Sequence, residues 1–276
     1  MTAAPRRLLL LGHPVAHSLS PVFQNAALRA LGSDLRYEAL DVPPERFAET
    51  FRTLALDGAA GNVTVPYKAA AAEACNQIMP LARRVGAVNT FWTVGGRLVG
   101  DNTDVGGFHA AARALLGAEP RELRVALLGA GGAAAAVLAA VAEWPASTVA
   151  VWNRSPDRAV RLAAAFAGVA TAAEFLATAV RGADLVVNAT TVGMRDDDVP
   201  FHPAILARRA AVLDLVYRPG ETAWVRLARA RGLRAADGLT MLVEQGALAF
   251  ERWLGVPPDR AAMWAALRRT AAGASH

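Results

Sequence analysis

The sequence predicts an α/β protein built from two domains. Strand-like and helix-like segments alternate along most of the chain, 54% of the residues are apolar, and 276 residues is close to the size at which single cores divide into domains. We expect residues 1–104 and 239–276 to form a discontinuous first domain around a mixed sheet. Residues 105–238 should form a second, doubly wound domain, and the C-terminal helices should return to the first.

The first domain begins with short apolar strands separated by helix-start signals. Ser20-Pro21 places a serine as N-cap and a proline in the first turn of a helix that should run to about Leu31. Pro43-Pro44 starts another helix. The predicted strands are Leu8–Leu11, Leu35–Leu40, Gly61–Val65, Val88–Val94 and Arg97–Val99, and Gly95-Gly96 joins the last two as a hairpin.

The second domain repeats a strand–helix alternation that favours a parallel sheet covered on both faces. A helix from Val105 to Leu116 leads into it. The predicted elements are strand Arg124–Leu128, an alanine-rich helix, strand Thr148–Trp152, helix Pro156–Phe166, and strands Asp184–Asn188, Ala211–Leu215 and Leu233–Ala235. Beyond Gly238 the chain should be helical to about Ala271.

Membrane and secretory segments are not indicated. The uncharged run from Val125 to Ala142 is long enough to approach a membrane span, but its glycines suit a strand that turns into a helix. The apolar run after Arg6-Arg7 is too short for a signal peptide. A single cysteine, Cys75, excludes an internal disulfide, and the histidines lack metal-ligand spacing. We therefore expect a cytoplasmic protein without a metal. As to its assembly, we expect a monomer or a homodimer.

The basic residues carry one informative exception. Net charge is +5, and the positive residues are spread along the chain, so a nucleic-acid-binding role is only weakly indicated. Lys68 is the only lysine among 29 lysines and arginines. A lysine can lose its proton at neutral pH when its pKa is lowered, whereas an arginine cannot. Lys68 is therefore a candidate proton donor and acceptor, although codon bias can also leave one lysine by chance.

A glycine motif predicts a dinucleotide site in the second domain. Gly129, Ala130, Gly131, Gly132 and Ala133 begin the pattern G-x-G-x-x-[GA], directly after a strand and before a helix. These glycines let a pyrophosphate approach the backbone, where the helix N-terminus favours anions. The pattern is typical of Rossmann-like domains, and an ordinary strand–helix turn is the alternative.

The end of the following strand indicates which dinucleotide binds. NAD enzymes usually carry Asp or Glu there to bind the ribose diol. This chain has Asn153, Arg154 and Ser155, with Arg158 one turn later. No carboxylate stands at the strand end, and the two guanidinium groups close by favour the 2′-phosphate of NADP. The alternative is a solvated helix start in an arginine-rich chain.

Polar residues mark a second candidate site in the first domain. Ser18 and Ser20 lie at a helix start, where hydroxyls and free N–H groups can hold a carboxylate, although helix capping alone explains Ser20. Asn62 and Thr64 should share one face of a strand that ends shortly before Lys68. Asn89 ends a similar stretch. Asp104 follows at the predicted crossover between domains, where capping a helix is the simpler explanation for it alone.

These segments together resemble the shikimate dehydrogenase family, from one end of the chain nearly to the other. The motifs that carry the resemblance are Gly12–Pro21, Gly61–Lys68, Gly86–Thr90, Gly100–Asp104, Gly129–Ala133, Asn153–Ser155, Asn188–Met194, Asp214–Tyr217 and Asp237–Ala247. They follow in the family's order, and that ordered series is more specific than any single motif. Thr191, where the family often has Ser, is a slight departure.

The resemblance implies an NADP-dependent oxidoreductase that reduces 3-dehydroshikimate to shikimate in chorismate biosynthesis. Lys68 and Asp104 would form the acid–base pair. The implied substrate-binding residues are Ser18, Ser20, Asn62, Thr64, Lys68, Asn89, Asp104, Tyr217 and Gln245. The implied cofactor-binding residues are Gly129, Ala130, Gly131, Gly132, Ala133, Asn153, Arg154, Ser155, Arg158, Met194, Leu215 and Gly238, with the last three beside the nicotinamide.

Two other functions stay open at this stage. A quinate/shikimate or aminoshikimate dehydrogenase would have the same fold, but serines stand where quinate-using relatives often have a threonine. A non-catalytic NADP-binding regulator could keep the fold without Lys68 and Asp104, both of which are present.

Overall fold

The computed structural model describes residues 4–194, 198–218 and 220–273. The chain divides into two compact units, one formed by residues up to Gly107 and from Leu242 onward, the other by Phe108–Met241. Each unit has its own six-stranded sheet. The predicted two-domain α/β fold is therefore confirmed.

The first unit contains a mixed sheet. Its elements are β1 (Arg7–Gly12), α1 (Ser20–Ala30), β2 (Tyr37–Asp41), α2 (Phe47–Leu56), β3 (Ala59–Val63), α3 (Lys68–Ala74), β4 (Gln77–Ile78), α4 (Pro80–Val85), β5 (Thr90–Val94) and β6 (Arg97–Asp101), and α5 (Asp104–Leu116) leads out of it. The strand order is β2-β1-β3-β5-β6-β4. β1 runs parallel to β2 and β3, whereas β5 runs antiparallel to β3 and β6.

The central strand β1 is buried on both faces because its leucines alternate between two cores. Leu8 and Leu10 pack with α1 and the C-terminal helices, and Leu9 and Leu11 pack with α2. The C-terminal segment thus completes the first unit's core, as the sequence predicts.

The predicted glycine hairpin is present between β5 and β6. Val94 pairs with Arg97, and the two intervening residues, Gly95 and Gly96, have φ values of 56° and 75°. A two-residue turn with both φ values positive matches the twist of antiparallel strands and strongly favours glycine.

The second unit contains a parallel, doubly wound sheet. Its elements are β7 (Arg124–Leu128), α6 (Gly132–Val141), β8 (Thr148–Trp152), α7 (Pro156–Ala165), β9 (Ala170–Ala172), α8 (Leu176–Val180), β10 (Leu185–Asn188), β11 (Ala211–Asp214), α9 (Ala223–Ala230) and β12 (Arg234–Ala236). The order β12-β11-β10-β7-β8-β9 grows outward from β7 in both directions, as in Rossmann-like domains. The chain continues through α10 (Leu239–Leu254) and α11 (Arg260–Gly273).

The apolar run from Val125 to Ala142 is accounted for by β7 and α6, with the glycine turn between them. Within the described ranges, no helix combines the length and the apolar character that a membrane span requires.

Two local predictions are wrong. Leu19, not Ser20, is the N-cap of α1, and Ser20 is already the first helical residue. The strand predicted from Gly61 to Val65 is β3, which ends at Val63, so Thr64 lies just beyond it. Pro66 has no N–H to extend a strand ladder, although the Thr64 N–H still donates to Leu11 O at 2.8 Å.

Candidate active site

Lys68 and Asp104 form an ion pair in the first unit. Lys68 is the first residue of α3 and Asp104 the first residue of α5. Their Nζ and Oδ2 atoms are 2.6 Å apart, and the two side chains are 19% and 6% exposed. A charge pair so well shielded from water is not an ordinary surface salt bridge, because desolvated charges require close partners. The pair places a proton donor directly beside a carboxylate.

The structure gives Asp104 a role other than helix capping. Its Oδ1 accepts from Asn89 Nδ2 at 2.9 Å, so both carboxylate oxygens are engaged by site residues. The Asp104 N–H instead donates to Asn102 Oδ1 at 3.1 Å. Asn102 therefore provides the cap-like contact, and the carboxylate of Asp104 remains directed at Lys68 and Asn89.

Asn89 connects the Asp104 carboxylate to two other residues of the first unit, Thr103 and Gln245. Its Nδ2 lies 3.0 Å from Thr103 Oγ1 and 3.2 Å from Gln245 Oε1, and its Oδ1 accepts from the Thr103 N–H at 2.7 Å. Gln245 reaches this cluster from α10, far along the chain. Thr103 was not predicted as a site residue, although it lies in the Asp-Asn-Thr-Asp run that pointed to Asp104.

Asn62 and Tyr37 continue the same network. Asn62 Nδ2 donates to the backbone carbonyl of Asn89 at 3.1 Å, and Tyr37 Oη donates to Asn62 Oδ1 at 2.8 Å. Asn62 is buried, and its amide holds the Asn89 backbone through this bond. Tyr37 was missed in the sequence because nothing in a single strand residue shows which side chain it will meet.

The two predicted serines lie at the start of α1. Ser18 Oγ accepts from the Ser20 N–H at 3.2 Å, so Ser18 makes the capping-type contact that the sequence assigned to Ser20. Ser20 is 5% exposed. The first-turn N–H groups of a helix lack intrahelical partners, and hydroxyls placed beside them are suited to a carboxylate ligand.

In the second unit, the glycine motif forms a tight turn between β7 and α6. Gly129 has a φ of 113°, and a Cβ there would lie 2.8 Å from the Ala189 carbonyl oxygen, so only glycine fits. Gly131 is the N-cap of α6, and a Cβ at Gly131 would meet no described atom within 4 Å. Ala130, Gly132 and Ala133 complete an open backbone surface that can receive a pyrophosphate.

The predicted 2′-phosphate residues lie where β8 ends. Asn153 Nδ2 donates to the Ser155 carbonyl at 3.0 Å, and the Ser155 side chain makes no capping bond to α7. Arg154 and Arg158 are exposed, and neither guanidinium pairs with a carboxylate in the described part of the chain. These groups are free to bind an anion, so the region fits NADP.

The remaining predicted cofactor residues belong to the second unit. A Cβ at Gly238 would lie 2.3 Å from the Leu215 carbonyl oxygen, so these two backbones are in close contact. Met194 is 66% exposed, which is unusual for a large apolar side chain. Tyr217 is half-buried and also lies in this unit.

A buried aspartate organises the strand ends of the second unit. Asp214 is fully buried at the end of β11, and it accepts from Asn188 Nδ2 and from Thr222 Oγ1, each at 2.8 Å. The Val216 N–H also donates to it at 3.1 Å. Burial raises the pKa of Asp214 to about 6; these hydrogen bonds oppose the shift, and the charge of Asp237 adds to it.

Asp214→Asn should change how unfolding depends on pH. Because the folded pKa is raised, the favourable contribution of Asp214 is complete below about pH 4 and is lost as the pH rises through about 6. Asn stays neutral and keeps one acceptor. Relative to wild type, the variant should therefore gain roughly 3 kcal/mol of unfolding free energy between about pH 4 and 7. Urea unfolding across this range measures the difference.

Asp184→Asn is the matched control. Burial raises its pKa, but the Arg124 N–H and the Arg209 guanidinium outweigh burial, and the net pKa is lowered. Its contribution is therefore lost only below about pH 4, and the stability difference from wild type should be constant over the same range. A constant difference for Asp214→Asn as well would contradict the assignment.

Family models match most of the chain in three consecutive parts. The shikimate dehydrogenase substrate binding domain matches residues 10–91, the shikimate / quinate 5-dehydrogenase domain matches residues 111–194, and the shikimate 5'-dehydrogenase C-terminal domain matches residues 238–268.

Relatives and solved structures agree with these models. A shikimate dehydrogenase (NADP(+)) of Thermus thermophilus is 45% identical over 264 residues, covering 95% of this chain and 98% of the relative. The corresponding protein of Rubrobacter xylanophilus is 46% identical, with 94% of both chains covered. The crystal structure of a Thermus thermophilus shikimate 5-dehydrogenase in complex with NADP(H) and shikimate superposes with a TM-score of 0.86 at 42% identity, covering 95% and 98% of the two chains.

Proposed function

The chain belongs to the shikimate dehydrogenase family, and from this we propose that it catalyses the reversible NADPH-dependent reduction of 3-dehydroshikimate to shikimate, a step of chorismate and aromatic amino acid biosynthesis. The single observation that carries the proposal is the 2.6 Å contact between Lys68 and Asp104 in a shielded site. Relatives with the name shikimate dehydrogenase (NADP(+)) support both the oxidoreductase class and the cofactor.

The chemistry needs a proton donor at the C3 carbonyl oxygen of the substrate. When bound, NADPH supplies the hydride. As the carbonyl oxygen gains negative charge, the Lys68 ammonium stabilises that charge and delivers a proton to the oxygen. Asp104 holds the ammonium in place and accepts a hydrogen bond from the C3 hydroxyl that forms when the carbonyl is reduced. In the reverse direction Lys68 takes the hydroxyl proton.

The other polar residues of the first unit would orient the substrate ring. Ser18, Ser20 and Thr64 would hold the carboxylate by hydroxyl hydrogen bonds. Asn62, Asn89 and Gln245 lie in or against the network around Asp104, where ring hydroxyls would bind. Tyr217 is the remaining residue that the family resemblance assigns to the substrate. Pre-oriented groups of this kind lower the entropic part of the barrier.

Cofactor binding is assigned to the second unit. The open backbone from Gly129 to Ala133 would hold the pyrophosphate, and Asn153, Arg154, Ser155 and Arg158 would hold the 2′-phosphate. Met194, Leu215 and Gly238 would lie on the nicotinamide side. These residues fit the group because the motif backbone is unobstructed at Gly131 and the guanidinium groups have no carboxylate partners in the described part of the chain.

Arg154→Ser should weaken NADPH selectively. The substitution removes a charge-assisted hydrogen bond to the 2′-phosphate, so NADPH should lose on the order of 1–3 kcal/mol of binding free energy while NADH changes little. Titration of both cofactors, followed by nicotinamide fluorescence, measures the two affinities. Equal weakening of NADPH and NADH would refute the 2′-phosphate assignment.

We also place the enzyme in the cytoplasm, acting as a monomer or homodimer on small molecules rather than on nucleic acid. A single cysteine suits a reducing compartment. Burial raises the pKa of the Cys75 thiol to about 12, so this cysteine is not a reactive thiolate.

The test of the proposed function is an assay of shikimate oxidation that follows the absorbance of the reduced nicotinamide, with NADP⁺ and NAD⁺ compared. Turnover of shikimate with a preference for NADP⁺ is expected. Quinate serves as the control substrate, because comparable turnover of quinate would indicate the broader quinate/shikimate activity. A protein that binds NADP⁺ but turns over neither substrate would be a regulator instead.

A further inference from the structure

Two charged side chains outside the proposed catalytic pair are connected to it through the backbone. Asp101 is the last residue of β6, and its side chain is 4% exposed. Arg252 lies on α10, and its Nε is 3.1 Å from Asp101 Oδ2. The Arg252 side chain is 53% exposed, so packing alone does not account for its position.

Asp101 is hydrogen-bonded to Asn102 and Asn89, both of which contact Asp104. Its Oδ1 accepts from the Asn102 N–H at 2.8 Å, and Asn102 Oδ1 accepts from the Asp104 N–H at 3.1 Å. Its backbone carbonyl accepts from the Asn89 N–H at 3.1 Å. A displacement of Asp101 would therefore reach Asp104 through Asn102, and it would remove one of several bonds that hold Asn89.

The position of Arg252 on its helix links the same element to the site a second time. Gln245 precedes Arg252 by seven residues, which is two helical turns, so both side chains lie on the same side of α10. Gln245 contacts Asn89, and the neighbouring Trp253 donates to Thr90 Oγ1 at 3.0 Å. Gln245, Arg252 and Trp253 of α10 thus contact residues at the start of β5 and at the end of β6.

We propose that Arg252 and Asp101 are a positioning pair that fixes the segment from Asp101 to Asp104, and through it the carboxylate that orients Lys68. The proposal rests on the proposed function. Without Arg252, the Asn102 N–H would be the one remaining donor to the buried Asp101 carboxylate among the described residues. A buried charge lacking its counter-ion moves toward water or rearranges. Asp101 would then draw Asn102 and Asp104 with it.

Loss of the Arg252–Asp101 pair should lower kcat and leave KM nearly unchanged. Asn89 keeps two independent supports, because its carbonyl accepts from the Val63 N–H and from Asn62 Nδ2. The Asp104 N–H, in contrast, is bonded to Asn102 Oδ1; the Asn102 side chain is held by one further bond, from its Nδ2 to the Ala87 carbonyl, while its backbone N–H is held by Asp101. Substrate binding through Asn89 should therefore persist while the orientation of Lys68 suffers. Displacements of about 1 Å in such groups can cost on the order of a hundredfold in rate.

The experiment compares variants of the full-length protein in the shikimate assay and in thermal unfolding. Arg252→Met should lower kcat roughly 10- to 100-fold, with KM for shikimate changed less than about threefold. Arg252→Lys should recover most of kcat because it keeps a cation at Asp101. Arg252→Met combined with Asp101→Asn should also recover kcat, since no uncompensated charge remains.

Arg260→Met is the matched control. Arg260 pairs with Glu244 and Glu251, which are also on α10, at 3.0 and 3.4 Å. In the described part of the chain, neither glutamate forms a hydrogen bond or an ion pair with the segment from Asp101 to Asp104. This variant should lower the unfolding temperature without changing kcat. An unchanged kcat in Arg252→Met, or equal kcat losses in Arg252→Met and Arg260→Met, would overturn the positioning role and leave the proposed function standing. A wild-type protein without shikimate turnover would instead overturn the proposed function and this role with it.

Discussion

Lys68→Ala should lower kcat for shikimate oxidation roughly a thousandfold, within the range of about 10² to 10⁴ that general acid–base groups contribute. In the proposed mechanism, the substitution removes both the cation beside the reacting oxygen and the group that exchanges its proton. The substrate carboxylate and ring hydroxyls keep their other partners, so KM should change by less than about tenfold. Steady-state kinetics at saturating NADP⁺ measure both constants.

Two further variants separate charge from proton transfer at this position. Lys68→Arg keeps a cation near Asp104 but cannot release a proton at neutral pH, so its kcat should stay within about tenfold of the alanine variant. Lys68→Met preserves chain length without charge and should behave like alanine. The acid–base assignment fails if any of these variants turns over shikimate at a rate near that of the wild type.

Gly61→Ala should destabilise the first unit by at least about 3 kcal/mol, and the protein should express mainly in insoluble form. A Cβ at Gly61 would lie 1.9 Å from the Leu9 carbonyl oxygen and 2.8 Å from its carbon. Both strands are central in the sheet, and the clash is with backbone rather than with a flexible side chain. The strands must separate to relieve it. Chemical unfolding of any soluble fraction measures the loss.

Gly131→Ala is the control for this effect. Gly131 has a φ of −105°, and the described residues leave its Cβ position unobstructed within 4 Å, so the apo protein should keep its unfolding midpoint. If both glycine variants unfolded at the same denaturant concentration as the wild type, the close approach of β1 and β3 would be refuted.

Much of the fold was predictable because local pattern and tertiary environment agree. β7 and β8 match the predicted bounds residue for residue, since each is a short apolar segment bounded by turn residues. The strands β4 and β9 have two and three residues, which is too short for any periodicity to be read. The helix α9 was missed although Thr222 caps it through a bond from the Val225 N–H. That signal is visible in the sequence only after the helix is known.

The candidate site was predictable where residue types are unusual for a scaffold, and not where partners come from distant segments. Lys68 stood out as the single lysine, and the family resemblance implied Asp104 as its partner; the structure brings the two within 2.6 Å. Tyr37, Thr103 and Arg252 gave no comparable signal, because their importance arises from contacts that chain folding creates. The binding roles assigned to Ser18, Ser20 and Thr64 stay predictions.

The discontinuous core of the first unit constrains the order of events during synthesis. Leu8, Leu10 and Phe23 are translated before the second unit, yet the groups that cover them, among them Phe250 and Met263, are translated after it. The whole second unit is therefore synthesised while the first unit still exposes one apolar face of its sheet. We therefore expect the second unit to complete its core before the first, the reverse of the usual N-to-C order of domain folding. Chaperone binding during translation should accordingly concentrate on the N-terminal segment that carries β1 and α1.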